Sequence, residues 1–224
     1  MIVAGADGCR TGWVVCRRDD DGVLDIRVVK TLAEACEGPA ILAVDMPIGL
    51  VDKPRPGRAC EREARALLPG KTSSVFPTPC RPALACATHA EANAVSKALG
   101  VGLTQQTFHL FPKMREVDDL LRVNERLHPI VYEAHPELAF ARMNAGQPVI
   151  SRKRRPEGFA ERLDLLARHG FSWEPRSLPG AARDDVLDAM AVCRTALLIA
   201  LGTATRLGPA HERDRHGLPM NIWF

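Results

Sequence analysis

Short apolar runs separated by turn residues dominate the first 45 residues. The runs Ile2–Ala6, Trp13–Cys16 and Val23–Val29 are β-prone, and the turns between them are rich in glycine and aspartate. A short helix over Leu32–Cys36 precedes the continuously apolar run Ala40–Val44, which is typical of a central strand buried on both faces. The pattern predicts three hairpin-connected strands and a fourth strand that lies parallel to the first.

Helical periodicity dominates the remainder of the chain. Helices are predicted over Arg58–Leu68, His89–Leu99, Thr104–Leu127 with an interruption at Pro112, Glu137–Asn144, Glu157–His169 and Asp184–Leu201. A proline-rich loop spans Pro69–Pro82, a β-prone run Ile130–Tyr132 ends at Glu133, and Leu218–Phe224 is predicted to add a small edge strand. This order of elements predicts one α/β domain over residues 1–224: a mixed five-stranded sheet with helices on both faces and a helical insertion at about 58–127.

Composition and charge narrow the class of protein. The 224 residues are 46% hydrophobic and 25% charged, and no apolar run is long enough to span a membrane. The first residues lack the basic and long apolar regions of a signal peptide, and the seven cysteines include no Cys-x-x-Cys pair, so we expect a cytoplasmic protein without a disulfide framework. A net charge of +3 is too mild to indicate nucleic-acid binding by itself, and the oligomeric state stays open, a homodimer included.

Four aspartates stand at positions that favour a shared site. Asp7 ends the first predicted strand and Asp45 ends the fourth, so both should lie at the carboxyl edge of the sheet. Asp185 and Asp188 share one face of an otherwise apolar helix. Buried carboxylates are costly unless they are paired or bound to metal, so the sequence predicts one or two Mg²⁺ or Mn²⁺ ions held by these four residues.

Each acidic residue also has a purely structural interpretation. An aspartate at a strand end is more often a turn or cap residue than a ligand, Asp184 fits the N-cap of the last helix, and Asp185 fits a favourable charge in its first turn. Glu133 is interpreted either as an auxiliary ligand or acid–base group, or as part of the cap of the next helix. The joint pattern is more specific than any single member.

Candidate phosphate contacts are weaker signals. They are Lys71, Ser74, Arg81 and Lys153, the last within the basic run Arg152–Arg155. The segment Gly70–Ser73 resembles the end of a phosphate-binding P-loop, but Arg65 stands where that motif requires glycine, so a P-loop is rejected.

Five ordered segments carry a family resemblance that covers nearly the whole chain. They are Gly5–Trp13, Val44–Gly49, Ser73–Pro79, Tyr132–Glu137 and Asp185–Ala189. They resemble the proteins of domain of unknown function 429, a family described as predicted nucleases of the ribonuclease H-like fold. The resemblance therefore implies a ribonuclease H-like fold and, by analogy, nuclease activity.

The acidic layout is also similar to that of Holliday-junction resolvases. Those proteins place one acid on the first strand, one on the fourth and a pair on the last helix, but they usually carry glutamate where this chain has Asp45. The shorter side chain shifts the position of any bound metal.

We therefore expect a metal-dependent nuclease that acts on nucleic acid, with Asp7, Asp45, Asp185 and Asp188 as metal ligands and Glu133 as an auxiliary group. One alternative is a kinase-like phosphotransferase of the actin-like superfamily, because Asp7–Gly12 resembles its first phosphate hairpin; those chains usually carry two copies of the fold, and 224 residues hold only one. A non-catalytic binding module on the same fold is the other alternative.

Overall fold

A mixed five-stranded sheet forms the centre of the computed structural model, which describes all 224 residues. Its strands lie in the order β3-β2-β1-β4-β5, with β1 antiparallel to β2, β2 antiparallel to β3, and β4 parallel to both β1 and β5. The strands are β1 (Val3–Cys9), β2 (Gly12–Arg18), β3 (Leu24–Val29), β4 (Ile41–Val44) and β5 (Val131–Glu133). This confirms the predicted sheet, including the parallel pairing of the first and fourth strands.

Nine helices surround the sheet. They are α1 (Leu32–Ala35), α2 (Ala59–Ala66), α3 (Arg81–Leu84), α4 (His89–Ala98), α5 (Gln105–His109), α6 (Phe111–Val123), α7 (Pro136–Met143), α8 (Pro156–Arg168) and α9 (Arg183–Ala200). Two short 3₁₀ turns occupy Thr72–Ser74 and Glu125–Leu127. No helix combines the length and apolarity needed to cross a membrane.

Two apolar layers cover the two faces of the sheet. On one face, Phe111 and Met114 of α6 pack with Ala6 and Val44. On the other face, α9 packs against the strand residues whose side chains point away from α6, among them Ala43. Because side chains alternate along a strand, each strand supplies both layers. The architecture is compatible with a ribonuclease H-like fold, as expected.

Gly5 allows α9 to lie directly on β1. A Cβ atom at this position would come within 2.2 Å of the Ala189 carbonyl oxygen and within 2.2 Å of the Cys193 amide nitrogen. Only a glycine permits such a close approach of helix and strand backbones. The contact fixes the part of α9 that carries Asp188 against the strand that carries Asp7.

The structure differs from the predicted elements in three places. The short helix α3 forms at the end of the loop predicted over Pro69–Pro82. The helix predicted over Thr104–Leu127 is divided at Leu110 into α5 and α6, and Pro112 lies in the first turn of α6, where its missing N–H removes no helical hydrogen bond. The tail forms a short strand β7 (Ile222–Trp223), but it pairs with β6 (Arg206–Leu207) in a separate two-stranded sheet. It reaches the main sheet only through one bridge to Ala134, so it does not extend the main sheet as a regular edge strand.

Candidate functional site

Asp7 and Asp45 lie side by side at the carboxyl edge of the sheet. The parallel register pairs Ala6 with Val44, so the two aspartates follow in adjacent positions. Val3 on β1 and Ala43 on β4 belong to the apolar layer that contains α9. Since Asp7 and Asp45 have the same parity as these residues, both carboxylates project toward the α9 face of the sheet.

Asp188 brings a third carboxylate to this point from α9. Its side chain is 4% exposed, and it accepts a hydrogen bond from the Lys153 ammonium, which precedes α8. Although burial alone lowers the pKa of Lys153, the carboxylates of Asp188, Asp7 and Asp45 raise it above its usual value. One ammonium therefore faces three carboxylates, which we call the acid cluster: Asp7, Asp45 and Asp188.

The acid cluster resists full ionisation. Burial raises the pKa of Asp7 well above its ordinary value, and the neighbouring charges of Asp45 and Asp188 raise it further. Burial likewise raises the pKa of Asp45 to about 7 and that of Asp188 to about 6, although Lys153 opposes both shifts. A single cation thus compensates the cluster only in part.

The donor chemistry of the acid cluster fits a hard divalent cation such as Mg²⁺ or Mn²⁺, which prefers carboxylate oxygens. No three His, Cys, Asp or Glu side chains are already arranged to hold a metal ion. Lys153 supplies the positive charge instead. A divalent cation at Asp188 would have to compete with the Lys153 ammonium.

The other two acids of the last helix have structural partners. The Asp185 carboxylate accepts a hydrogen bond of 2.8 Å from the Ala182 amide and so caps the first turn of α9. Asp184, which the sequence suggested as the N-cap, lies inside the helix and accepts a hydrogen bond of 3.1 Å from Arg154 Nε. Of the predicted pair Asp185 and Asp188, only Asp188 is bonded to Lys153 at the acid cluster.

Glu133 lies on the opposite face of the sheet from the acid cluster. Val131, two residues earlier on β5, points to the same face of the sheet and packs in the apolar layer that contains α6. Its carboxylate accepts hydrogen bonds from both Nη atoms of buried Arg58, at 3.0 Å from Nη1, and from the Ile48 amide at 2.7 Å. Glu133 therefore fixes the segment that follows Asp45, and it also lines one cleft together with Asp7 and Asp45. Its role as an auxiliary ligand stays a prediction.

The predicted phosphate contacts are largely engaged inside the protein. Lys71 Nζ lies 3.1 Å from a Glu137 carboxylate oxygen, and buried Arg81 donates to Asp118 at 2.6 and 2.9 Å. The Ser74 hydroxyl donates to the Lys71 carbonyl at 2.8 Å. Arg81 is buried in its ion pair, and its contact with a phosphate stays a prediction.

A basic groove borders the acid cluster at Lys153. Besides Lys153, it is lined by Arg154, Arg155, Pro156, Phe159, Arg183 and Asp184. Arg154 is paired with Asp184, whereas Arg155 is exposed and forms no ion pair, and Arg183 lies over the Phe159 ring at 5.0 Å. The run Arg152–Arg155 thus has two roles, since Lys153 contacts the acid cluster and Arg155 faces solvent.

His135 is a functional candidate that the sequence did not single out as a site residue. Its Nε2 lies 3.2 Å from the Ser74 carbonyl oxygen, so this nitrogen donates, while the buried Nδ1 has no partner. Burial lowers the pKa of His135, which keeps the ring neutral. The only sequence signal was its position directly after a strand, between two glutamates.

Comparison with known proteins gives one match. The model of the family described as "Protein of unknown function (DUF429)" matches residues 5–213, a range that holds the acid cluster and Lys153. No curated protein and no solved structure matches the chain. Because the family model covers well over half of the sequence, the chain belongs to the DUF429 family, whose function is unknown.

Proposed function

We propose that this protein is a metal-dependent nuclease that hydrolyses phosphodiester bonds of nucleic acid with Mg²⁺ or Mn²⁺. The observation that supports this most strongly is the acid cluster, in which buried Asp188 of α9 and half-buried Asp7 and Asp45, at the ends of β1 and β4, face a single ammonium. A bound divalent cation would polarise a phosphoryl oxygen and lower the pKa of an attacking water.

A purely structural role accounts poorly for the acid cluster. Burying charges that are incompletely paired destabilises a fold, and apolar side chains of similar volume would usually be as stable or more stable. Elsewhere in the chain, buried carboxylates are matched by guanidinium groups, as in the Glu133–Arg58 and Asp118–Arg81 pairs. In the acid cluster, by contrast, Asp188 has the Lys153 ammonium, whereas half-buried Asp7 and Asp45 form no ion pair of their own. Groups with perturbed pKa values in a common site are typical of function.

In the proposed reaction, different residues would have different roles. Asp7, Asp45 and Asp188 would hold the cation, while Asp185 would keep the N-terminus of α9 in place through its cap. Lys153, once displaced from Asp188, lies at the boundary with the basic groove and can pair with a substrate phosphate. The groove would bind the flanking phosphates through Arg155 and Arg183. Its positive charge is complementary to the phosphate backbone of nucleic acid.

Cleavage assays with matched variants test the proposal. The purified protein is incubated with Mg²⁺ or Mn²⁺ and with single-stranded, duplex and branched DNA and RNA. We expect Asp7→Asn and Asp188→Asn to reduce cleavage by about a hundredfold or more. Asp185→Asn is the matched control, since it alters the same helix three residues away and should retain most of the activity.

Two results would contradict the nuclease proposal. One is a wild-type protein that cleaves none of these substrates with either metal. The other is an Asp7→Asn protein that cleaves at the wild-type rate.

A further inference from the structure

A small cleft opens beside the acid cluster. It has a volume of about 110 Å³ and includes Asp7 and Asp45 in its wall, but none of the residues that line the basic groove. Its apolar wall comprises Met46, Pro47, Val75, Phe76, Leu110 and Ile222. The acid cluster is therefore flanked by two surfaces of different chemistry, one basic and one mainly apolar.

We propose that this cleft binds one unpaired nucleobase of the substrate, next to the phosphate that lies at the acid cluster. The inference rests on the proposed nuclease function and adds the substrate class to it. It predicts that the strand being cleaved is single-stranded at this nucleotide, or that the base is turned out of a duplex, because a stacked and paired base cannot enter a narrow cleft.

The charge of the cleft excludes a phosphate. No lysine or arginine lines it, whereas Asp7, Asp45, Glu61 and Glu133 do. Glu61 and Glu133 already pair with arginines behind the wall, at 3.2 Å for the Arg65–Glu61 contact. An anion is repelled by such a wall, while a neutral group with N–H donors is not, since carboxylates accept hydrogen bonds from the amino groups of bases.

The size and the apolar wall favour a single ring system. Sites for whole drug-sized ligands usually measure about 300–1,000 Å³, well above this cleft. Phe76 is half-buried in the proline-rich loop and contributes an aromatic ring to the wall, and bases stack on such rings without needing a particular sequence. With the base in the cleft and the flanking phosphates in the basic groove, the intervening phosphate would lie at the divalent cation that Asp7 and Asp45 are proposed to hold.

The site is tested with a fluorescent nucleotide. The probe is 2-aminopurine deoxyribonucleoside 5′-monophosphate, and deoxyribose 5-phosphate serves as a competitor that has the same phosphate but no base. We expect the sugar phosphate to bind at least about tenfold more weakly than the nucleotide, the loss typical of one stacked base. Equal affinities for the two compounds would overturn the proposal.

Two variants alter the cleft without touching the acid cluster. Phe76→Leu keeps apolar bulk but removes the ring. Gly8→Ala narrows the cleft, and its new Cβ would meet its nearest neighbour, Lys113 Cγ, at an ordinary 3.5 Å. Both substitutions should weaken binding of the probe about tenfold and leave the affinity for the sugar phosphate unchanged. Arg155→Met should instead weaken binding of the two compounds equally. Unchanged probe binding in both cleft variants would refute the base site.

The outcomes separate this inference from the nuclease proposal. If the protein cleaves nucleic acid, but its affinity depends neither on the base nor on the two cleft substitutions, the base site is wrong and the nuclease proposal is retained. If the probe binds as expected but no substrate is cleaved, the base site is supported and the nuclease proposal falls.

Discussion

Asp45→Asn should stabilise the metal-free protein at neutral and alkaline pH. Burial, reinforced by the charge of Glu137 and opposed by Lys153, raises the pKa of Asp45 from 3.8 to about 7. The unfolded chain therefore releases this proton near pH 3.8, whereas the folded chain keeps it up to about pH 7. The free energy of unfolding consequently falls as the pH rises through this window.

The pKa difference sets the size of the effect. One pKa unit corresponds to about 1.4 kcal/mol, so the rise from 3.8 to about 7 sets an upper bound of about 4 kcal/mol on the stability lost once the pH exceeds 7, and solvent at the half-buried side chain lowers it. Asparagine has nearly the same shape and does not ionise. We expect Asp45→Asn to match the wild type at acidic pH and to exceed its stability by up to about 4 kcal/mol above pH 7.

Urea unfolding over a pH series, in buffer freed of divalent cations, measures the difference. Asp119→Asn is the control, because that side chain is 73% exposed and its removal should leave the pH dependence unchanged. Added Mg²⁺ should stabilise the wild type above pH 7 and should have a smaller effect on Asp45→Asn. An Asp45→Asn protein that is less stable than the wild type above pH 7, or that keeps the wild-type pH slope, would refute the electrostatic account of the acid cluster.

Three other substitutions have definite expected results. Lys153→Met should tighten Mn²⁺ binding by at least about tenfold in calorimetry, since it removes the competing cation, while Arg155→Met in the same loop should leave it nearly unchanged; equal affinities would argue against competition. Gly5→Ala should lower stability by about 1–3 kcal/mol in urea unfolding and reduce cleavage, because the methyl group forces α9 away from β1. Glu133→Gln should cost about 3 kcal/mol in the same assay, as it weakens the pairing of buried Arg58; a stabilised variant would contradict the assigned pair.

The sequence was sufficient to predict the sheet and the meeting of Asp7 with Asp45. Both follow from local patterns, since continuous apolar runs indicate central strands and parallel neighbours end at one edge. The i, i+3 spacing of Asp185 and Asp188 placed both on one helix face, but it did not distinguish the cap from the inner residue. That distinction depends on where α9 begins, which the structure sets two residues before Asp185.

The sequence could not predict the contacts between distant segments. Arg81 pairs with Asp118 and with Asp214, which lies 133 residues further along the chain, and no local pattern indicates such a pair. Lys153 reaches Asp188 in the same way, through a loop whose basic run alone suggested only phosphate binding. For Glu133 a signal did exist, because strict alternation from Val131 places it on the face away from the acid cluster.

The close contact of α9 with β1 has a consequence for the order in which the protein matures. Asp7 and Asp45 are synthesised before Lys153 and Asp188, which follow them along the chain. Gly5 allows β1 to contact the α9 backbone at Ala189. The Asp188 carboxylate therefore reaches the acid cluster only when α9 packs against β1. A nascent chain, held beside its own messenger RNA and ribosomal RNA, therefore lacks a complete acid cluster until α9 has been synthesised and has packed against β1.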